Sequence, residues 1–270
     1  MKQMILDALV RFIAMHDDFR IGSDIAIDED SIGLPLFDTP VIGVCDANDP
    51  WFEAFKKEGV IGLHHKLPSD WLDGATRVIS VFLPFTDEVV ASNRGGGWPS
   101  AKWLHARYEG QQAIGNMAAY LRSMLQDQGF MAVAPMLDER FATGVPGNSY
   151  TSNWSERHTA FACNLGTFSL SRGLITDAKG VCGRFFSVVT DAPVPVDARQ
   201  TRETEANCSH CGSCITACPP KAIDFEHGKD HPKCDVFLKT IKQKETPRYG
   251  CGKCQAGMPC ERTAPACATN

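Results

Sequence analysis

Apolar residues recur with two different periods along this chain. Near the start, Ile5, Leu9, Phe12 and Ile13 share one face of a 3.6-residue repeat with acidic residues interspersed, which predicts an amphipathic helix over Met1–Arg20. Ile114, Met117, Ala118, Leu121 and Leu125 keep helical spacing, and Gly129 stands where a C-cap is expected. Shorter apolar segments predict strands at Pro40–Cys45, Arg77–Phe85, Phe130–Met136, Gly166–Ile175 and Gly183–Asp191. Asp46–Pro50 and Asp177–Gly180 have the composition of turns. Asn153 followed by Glu156 reads as a capping box that opens a short helix through Cys163. These elements define an α+β (mixed α/β) fold.

The longest apolar run, Val78–Phe85, is a buried strand by length and β-branched content. No run approaches the ~20 residues that span a bilayer, and nothing at the N-terminus reads as a secretory signal. The expected location is therefore the cytoplasm, without membrane contact. No Walker loop or G-x-G-x-x-G after a strand is present, which disfavours ATP and nicotinamide binding. Gly95–Gly97 reads as a flexible loop, and His64–His65 as a surface pair.

Helical and strand periodicity stop in Thr190–Asp197, where two alternate prolines favour extended backbone. This stretch marks a boundary between a domain over residues 1–197 and a compact one over residues 198–270. Composition changes there too. Residues 1–198 hold 16 basic and 24 acidic side chains, a net of −8, whereas residues 199–270 hold 11 and 8, a net of +3. Nine of the twelve cysteines lie in the second part. No basic stripe with interleaved aromatics accompanies the positive balance, so tRNA is not an expected partner.

The candidate chemistry sits in those cysteines. Cys208-x2-Cys211-x2-Cys214-x3-Cys218-Pro219 is the spacing that holds cubane iron–sulfur clusters, three thiolates on one cluster and the fourth on another. Cys234, Cys251, Cys254 and Cys260 supply a second set, so eight thiols are available for two [4Fe–4S] clusters. A disulfide framework is disfavoured in a reducing compartment. Zinc is the competitor, since Cys208-x2-Cys211 and Cys251-x2-Cys254 make a four-thiolate set. It would leave Cys214, Cys218, Cys234 and Cys260 without a role. Two clusters carry negative charge, which the basic balance of the second part offsets. Cys45, Cys163 and Cys182 read as small buried side chains.

The order of these pieces resembles the epoxyqueuosine reductases and, more distantly, the reductive dehalogenases. The resembling segments are Gly74–Pro84, Ala134–Arg140, Trp154–Phe168, Gly183–Asp191 and both cysteine sets, with Arg248–Glu261 similar to a shorter branch. The resemblance implies a nitroreductase-like N-terminal domain that binds a corrinoid (cobalamin), joined to a double-cubane ferredoxin-like domain. It also implies a division of ligands. One cluster takes Cys208, Cys211, Cys214 and Cys260, the other Cys218, Cys234, Cys251 and Cys254. The spacing Cys254-x5-Cys260 departs from the family, and Cys267 is the nearby substitute for Cys260.

In such proteins one cluster lies near the corrinoid, the other near the surface, and electrons pass inward singly. Arg157, His158, Gly166 and Phe168 are the positions the resemblance places against the corrinoid. Where the family has an acidic proton donor ahead of its Ala-Pro pair, this chain has Ala132 and Val133. Asp138 is the nearest carboxylate, and Tyr150, in the loop Gly147–Ser152, is the second candidate donor. The chain also stops at Asn270, without the helical-repeat tail that helps the family hold tRNA. These features predict a corrinoid-dependent iron–sulfur reductase of a small molecule, fed by a ferredoxin or flavodoxin. An electron-transfer protein that reduces a partner, such as a corrinoid protein, is the second reading. A cluster-bearing sensor using Cys163 or Cys182 is the third.

Overall fold

The computed structural model describes residues 1–198 and 203–265. In chain order the helices are α1 (Lys2–Met15), α2 (Pro50–Phe55), α3 (Pro68–Trp71), α4 (Asp87–Ser92), α5 (Ala101–Asp127), α6 (Glu156–Ala162), α7 (Ser213–Ala217) and α8 (His231–Glu245). The strands are β1 (Val41–Asp46), β2 (Arg77–Pro84), β3 (Ala132–Val133), β4 (Thr143–Val145), β5 (Asn148–Ser152), β6 (Gly166–Phe168), β7 (Leu174–Thr176), β8 (Gly183–Thr190), β9 (Ile223–Asp224) and β10 (Gly228–Lys229). No helix among the described residues is long and apolar enough to cross a membrane.

The central sheet has the order β1-β2-β8-β3 with every pairing antiparallel. Its two middle strands are apolar on both faces because both are covered. Ile79, Val81 and Leu83 of β2 face a core shared with α1 and α5, which contribute Ile5, Leu9, Ile114 and Leu121. Val78 and Phe82 face the other way, onto Phe52 and Phe55 of α2 and Ala160 and Phe161 of α6. The sheet is thus the middle of three layers. Ser100 caps the long α5, its hydroxyl accepting the Trp103 N–H at 3.2 Å.

Several elements differ from the sequence reading, each for a local reason. The first helix stops at Met15, and a 3-10 turn at Asp17–Phe19 swings Phe19 into the core. The strand expected over Phe130–Met136 is only Ala132–Val133, because Pro135 lacks an N–H and opens a 3-10 turn. Gly166–Ile175 is a hairpin, β6 with β7, turned by Ser169–Gly173. Ser155, not Asn153, precedes α6 as its N-cap. The Asn153 amide instead donates to Arg140 O and accepts from Ala142 N. His65 is a core residue at 2% exposure, its ring stacked on Trp154 with centroids 5.6 Å apart. Burial pushes its pKa down to about 4.

The proline-rich stretch is tied along β1. Asp197 N donates to Val44 O at 3.0 Å, and its carboxylate accepts Val44 N at 2.8 Å and Lys2 Nζ at 2.5 Å. Beyond it, Ala256 joins the main core, with Cys208, Cys260 and Ala264 packed against it. A satellite core of Leu170, Cys218, Ala222 and Ile223 is surrounded by Cys208, Cys214, Cys234 and Cys254.

Candidate functional site

Left-handed backbone shapes the cysteine loops. His210 has φ +48° and Gly212 φ +73°, so the chain curls through Cys208, Cys211 and Cys214 before α7 begins. Cys218 ends that helix, and its Sγ accepts the Ala222 N–H at 3.2 Å. Cys234 lies in the first turn of α8. Cys251 and Cys254 flank the turn at Gly252, whose φ is +65° and where a Cβ would come within 1.9 Å of Trp103. Only glycine meets both demands. Cys260 arrives from the far end of the chain and is held by backbone bonds: Cys260 O accepts Val181 N at 3.0 Å.

These loops surround two voids. The first, about 20 Å³, is lined by Cys208, Cys211, Cys214, Cys254 and Cys260. The second, about 170 Å³, is lined by Cys218, Cys234, Cys251 and again Cys254. Burial raises the pKa values of Cys214, Cys251, Cys254 and Cys260, and neighbouring thiols add to the effect, whereas hydrogen bonding to Ser213 lowers that of Cys211. Cys260 is pushed up to about 12, with Cys208, Cys211 and Cys214 as its raising neighbours. Cys251 also reaches about 12, with Cys254, Cys234 and Cys218 as its raising neighbours. Cys214 rises to about 11.

Thiols gathered in this way are donors of the type that a cationic iron–sulfur core takes. Zinc would gather four ligands on one point at about 2.0–2.3 Å. Among the described residues, no three His, Cys, Asp or Glu side chains converge in that way. Thiols spread around a void suit a bulky cluster. Cys267 lies outside the described residues.

A third cavity, about 1060 Å³, opens between α2, the β4–β5 hairpin, α6 and the start of α8. It lies at the top of the roughly 300–1,000 Å³ range of small-molecule sites. Tyr150, Arg157, His158 and Phe168 all line it. Arg157 is exposed to this space although it sits deep in the molecule, and its Nη1 donates to Arg172 O at 2.6 Å. Desolvation lowers its pKa, while the nearby Cys254 raises it. His158 is pushed down to about 3, first by burial and then by Arg157, so its ring is neutral. Its Nδ1 shares a 2.7 Å hydrogen bond with Ser155 Oγ. The Tyr150 hydroxyl donates to Asp235 Oδ2 at 3.3 Å, and its ring stacks on His231.

Two expected residues stand elsewhere. Asp138 is not on the wall of any of the three cavities. Arg140 grips its carboxylate at 2.7 Å and holds its pKa down to about 2. Gly166 is a packing position, where a Cβ would come within 2.0 Å of Ile175 O. The sequence reading also passed over Lys229, which lines both the second and third cavities. Arg107 and Arg184 on the second were likewise missed. They lie on a helix and a strand far from any motif, so only the packing of the two parts of the chain reveals them.

The mixed α+β fold, with its two thiol-lined cavities beside a large cleft, is similar to that of proteins already described. No family model matches the chain. The epoxyqueuosine reductase of Vibrio cholerae serotype O1 is 26% identical over 256 residues, 83% of this chain and 64% of that protein. The epoxyqueuosine reductase of Streptococcus thermophilus shares the fold with a TM-score of 0.52 at 14% identity, over 82% of this chain and 62% of that one. A reductive dehalogenase, in a structure described as suggesting a mechanism for B12-dependent dehalogenation, gives 0.54 at 17% identity, over 84% of this chain and 30% of that one. The chain spans less than two thirds of the length of the relatives named here. Its curated homologues are epoxyqueuosine reductases, and its fold neighbours are these and reductive dehalogenases, as the sequence motifs indicated.

Proposed function

We propose that the chain is an iron–sulfur oxidoreductase with two parts, residues 1–197 and 198–270, that reduces a small molecule with the help of a corrinoid. The observation that carries the reading is the grouping of eight cysteines on two cavity walls, Cys208, Cys211, Cys214 and Cys260 on one, Cys218, Cys234 and Cys251 on the other, and Cys254 on both. Cys208, Cys211, Cys214 and Cys260 hold one [4Fe–4S] cluster. Cys218, Cys234, Cys251 and Cys254 hold the other. The third cavity takes the corrinoid, with Phe168 as an apolar wall, His158 as a neutral hydrogen-bonding group and Arg157 as a cation for a polar or anionic edge. When bound, the clusters supply single electrons at low potential and the corrinoid supplies reductive bond cleavage.

The chain's own share is to exclude water and to place a proton. Tyr150, on the cavity wall, holds one at its hydroxyl, which donates to Asp235. Asp138, bound to Arg140 and outside the cavity walls, does not serve as donor. That placement favours, as the second reading, an electron-transfer protein that reduces a partner such as a corrinoid protein. Either version draws electrons from a ferredoxin or flavodoxin and works in the cytoplasm.

Anaerobic reconstitution with iron and sulfide, followed by titration with cobalamin under optical and EPR spectroscopy, separates the two. A saturable change in the cobalt spectrum, lost in Arg157→Ala, supports the reductase. Cluster signals with an unperturbed cobalt spectrum support the electron-transfer protein.

A further inference from the structure

The two cysteine-lined cavities differ in their electrostatics. The second is lined by two arginines from the opposite part of the chain, Arg107 on α5 and Arg184 on β8. Arg107 stacks on Tyr249 at 4.5 Å, and its Nη1 is buried without a hydrogen-bond partner. Arg184 donates to the amide oxygen of Gln111. Among the described residues, neither guanidinium is within ion-pair distance of a carboxylate; the charges Arg184 senses are Arg107, Arg157 and Tyr249. Lys253, between Cys251 and Cys254, is buried as well and is solvated by Asn93 O and Gly95 O at 3.0 and 2.7 Å.

Other cations of this region do have carboxylate partners. Arg248 pairs with Glu109 at 2.7 Å and Arg262 with Asp87 at 2.5 Å. The first cavity is lined by Ser169, Leu170, Ser171, Met258 and Pro259, and the described residues place no lysine or arginine on its wall. Its one titratable cation, His210, lies 3.2 Å from Glu205.

Like charges held close together without counter-charge are costly, and the structure keeps two half-buried guanidiniums facing one set of thiols. An iron–sulfur cluster ligated by four thiolates is the anion that this arrangement lacks. Cations beside a cluster stabilise its reduced form, which carries one more negative charge, and so raise its potential.

We propose that Arg107 and Arg184 are the counter-charges of the cluster in the second cavity and hold its reduction potential above that of the cluster in the first. Electrons then run downhill from the first cluster to the second. Geometry agrees with that direction. Cys211, on the first cavity, is exposed to solvent, where a donor protein can dock. Lys229 joins the walls of the second and third cavities, so the second cluster is the one beside the large cleft. This inference rests on the iron–sulfur reading above and adds to it the order of the clusters and the residues that impose it.

The test is a redox titration of anaerobically reconstituted protein, followed by EPR, in wild type, Arg107→Gln, Arg184→Gln and the charge-keeping Arg184→Lys. Cys211→Ser, which alters the first cluster, assigns the two signals. Iron and sulfide content is measured for each variant. The expected result is two unequal midpoints in the wild type, the second cluster higher. Each glutamine variant lowers that midpoint and leaves the first in place, and Arg184→Lys retains it. Equal midpoints, or glutamine variants that leave the second midpoint unmoved, overturn the proposal while the iron–sulfur reading stands. A wild-type chain that takes up no iron overturns both.

Discussion

Glu156 enters α6 at its first turn, where an acidic side chain ordinarily meets the free N–H groups of the helix and solvent. Here both carboxyl oxygens are buried without a hydrogen-bond partner, and burial raises the pKa to about 7 despite the nearby Ser187 hydroxyl. That hydroxyl already accepts Trp154 Nε1 at 2.9 Å. The native state therefore keeps a proton that the unfolded chain releases near 4.5. Stability from this group is fully present below pH 4.5, declines as pH rises to 7 and stays lost above it. The difference is worth about 3 kcal/mol. Urea midpoints of wild type and Glu156→Gln, compared at pH 5 and pH 8, should show the variant less sensitive to alkali; parallel pH profiles would contradict the assignment. At the same scale, Cys45, Cys163 and Cys182 are at most 1% exposed, and burial raises Cys45 and Cys182 well above the usual thiol range. All three should resist alkylation in the native protein and react on unfolding, as read by mass spectrometry. Gly252→Ala drives a methyl group into Trp103 at a left-handed position. It should cost about 1–3 kcal/mol in thermal or urea unfolding. A variant as stable as the wild type would mean that the Cys251–Cys254 turn is looser than described.

Among the elements, those legible in the sequence were the ones whose burial pattern is set along their own length. β1, β2 and β8 are apolar on both faces, and α5 repeats its buried residues over 27 positions to Asp127, with Gln128 as its C-cap. What local pattern missed was decided across space. Asn153 has the right residue type for an N-cap, yet its amide is spent bridging Arg140 and Ala142. His65 follows another histidine in a polar stretch, yet Trp154 and Phe55 enclose it. The Pro-rich stretch before residue 198 has the composition of a linker, but Asp197 fastens it to β1 and α1. Its lysine partner is half-exposed and contributes little, whereas the bond to the Val44 N–H bridges the stretch to an edge strand. Asp197→Ala should thus lower stability by about 1 kcal/mol in urea unfolding, while Lys2→Ala changes it by less. Equal effects of the two variants would place the contribution in the ion pair instead.

For the molecule as a whole, the cysteine spacings are the most legible candidate site, because a cluster dictates the order of its ligands. The large cleft was legible only through resemblance. Its wall is assembled from segments between Trp51 and Pro232 whose sequences give no common signal. The candidate proton donor was the least legible part, since Asp138 and Tyr150 differ in setting only once Arg140 and Asp235 are placed beside them. In the function proposed above, eight thiols divide into two cluster-binding sets, with Cys260 closing the first. Iron and sulfide analysis after anaerobic reconstitution, on wild type, Cys260→Ser and Cys267→Ser, tests it most directly. The account predicts about eight irons per chain in the wild type and in Cys267→Ser, with one cluster's signal lost or converted in Cys260→Ser. One zinc and no iron, or loss of a cluster in Cys267→Ser with Cys260→Ser intact, would contradict it.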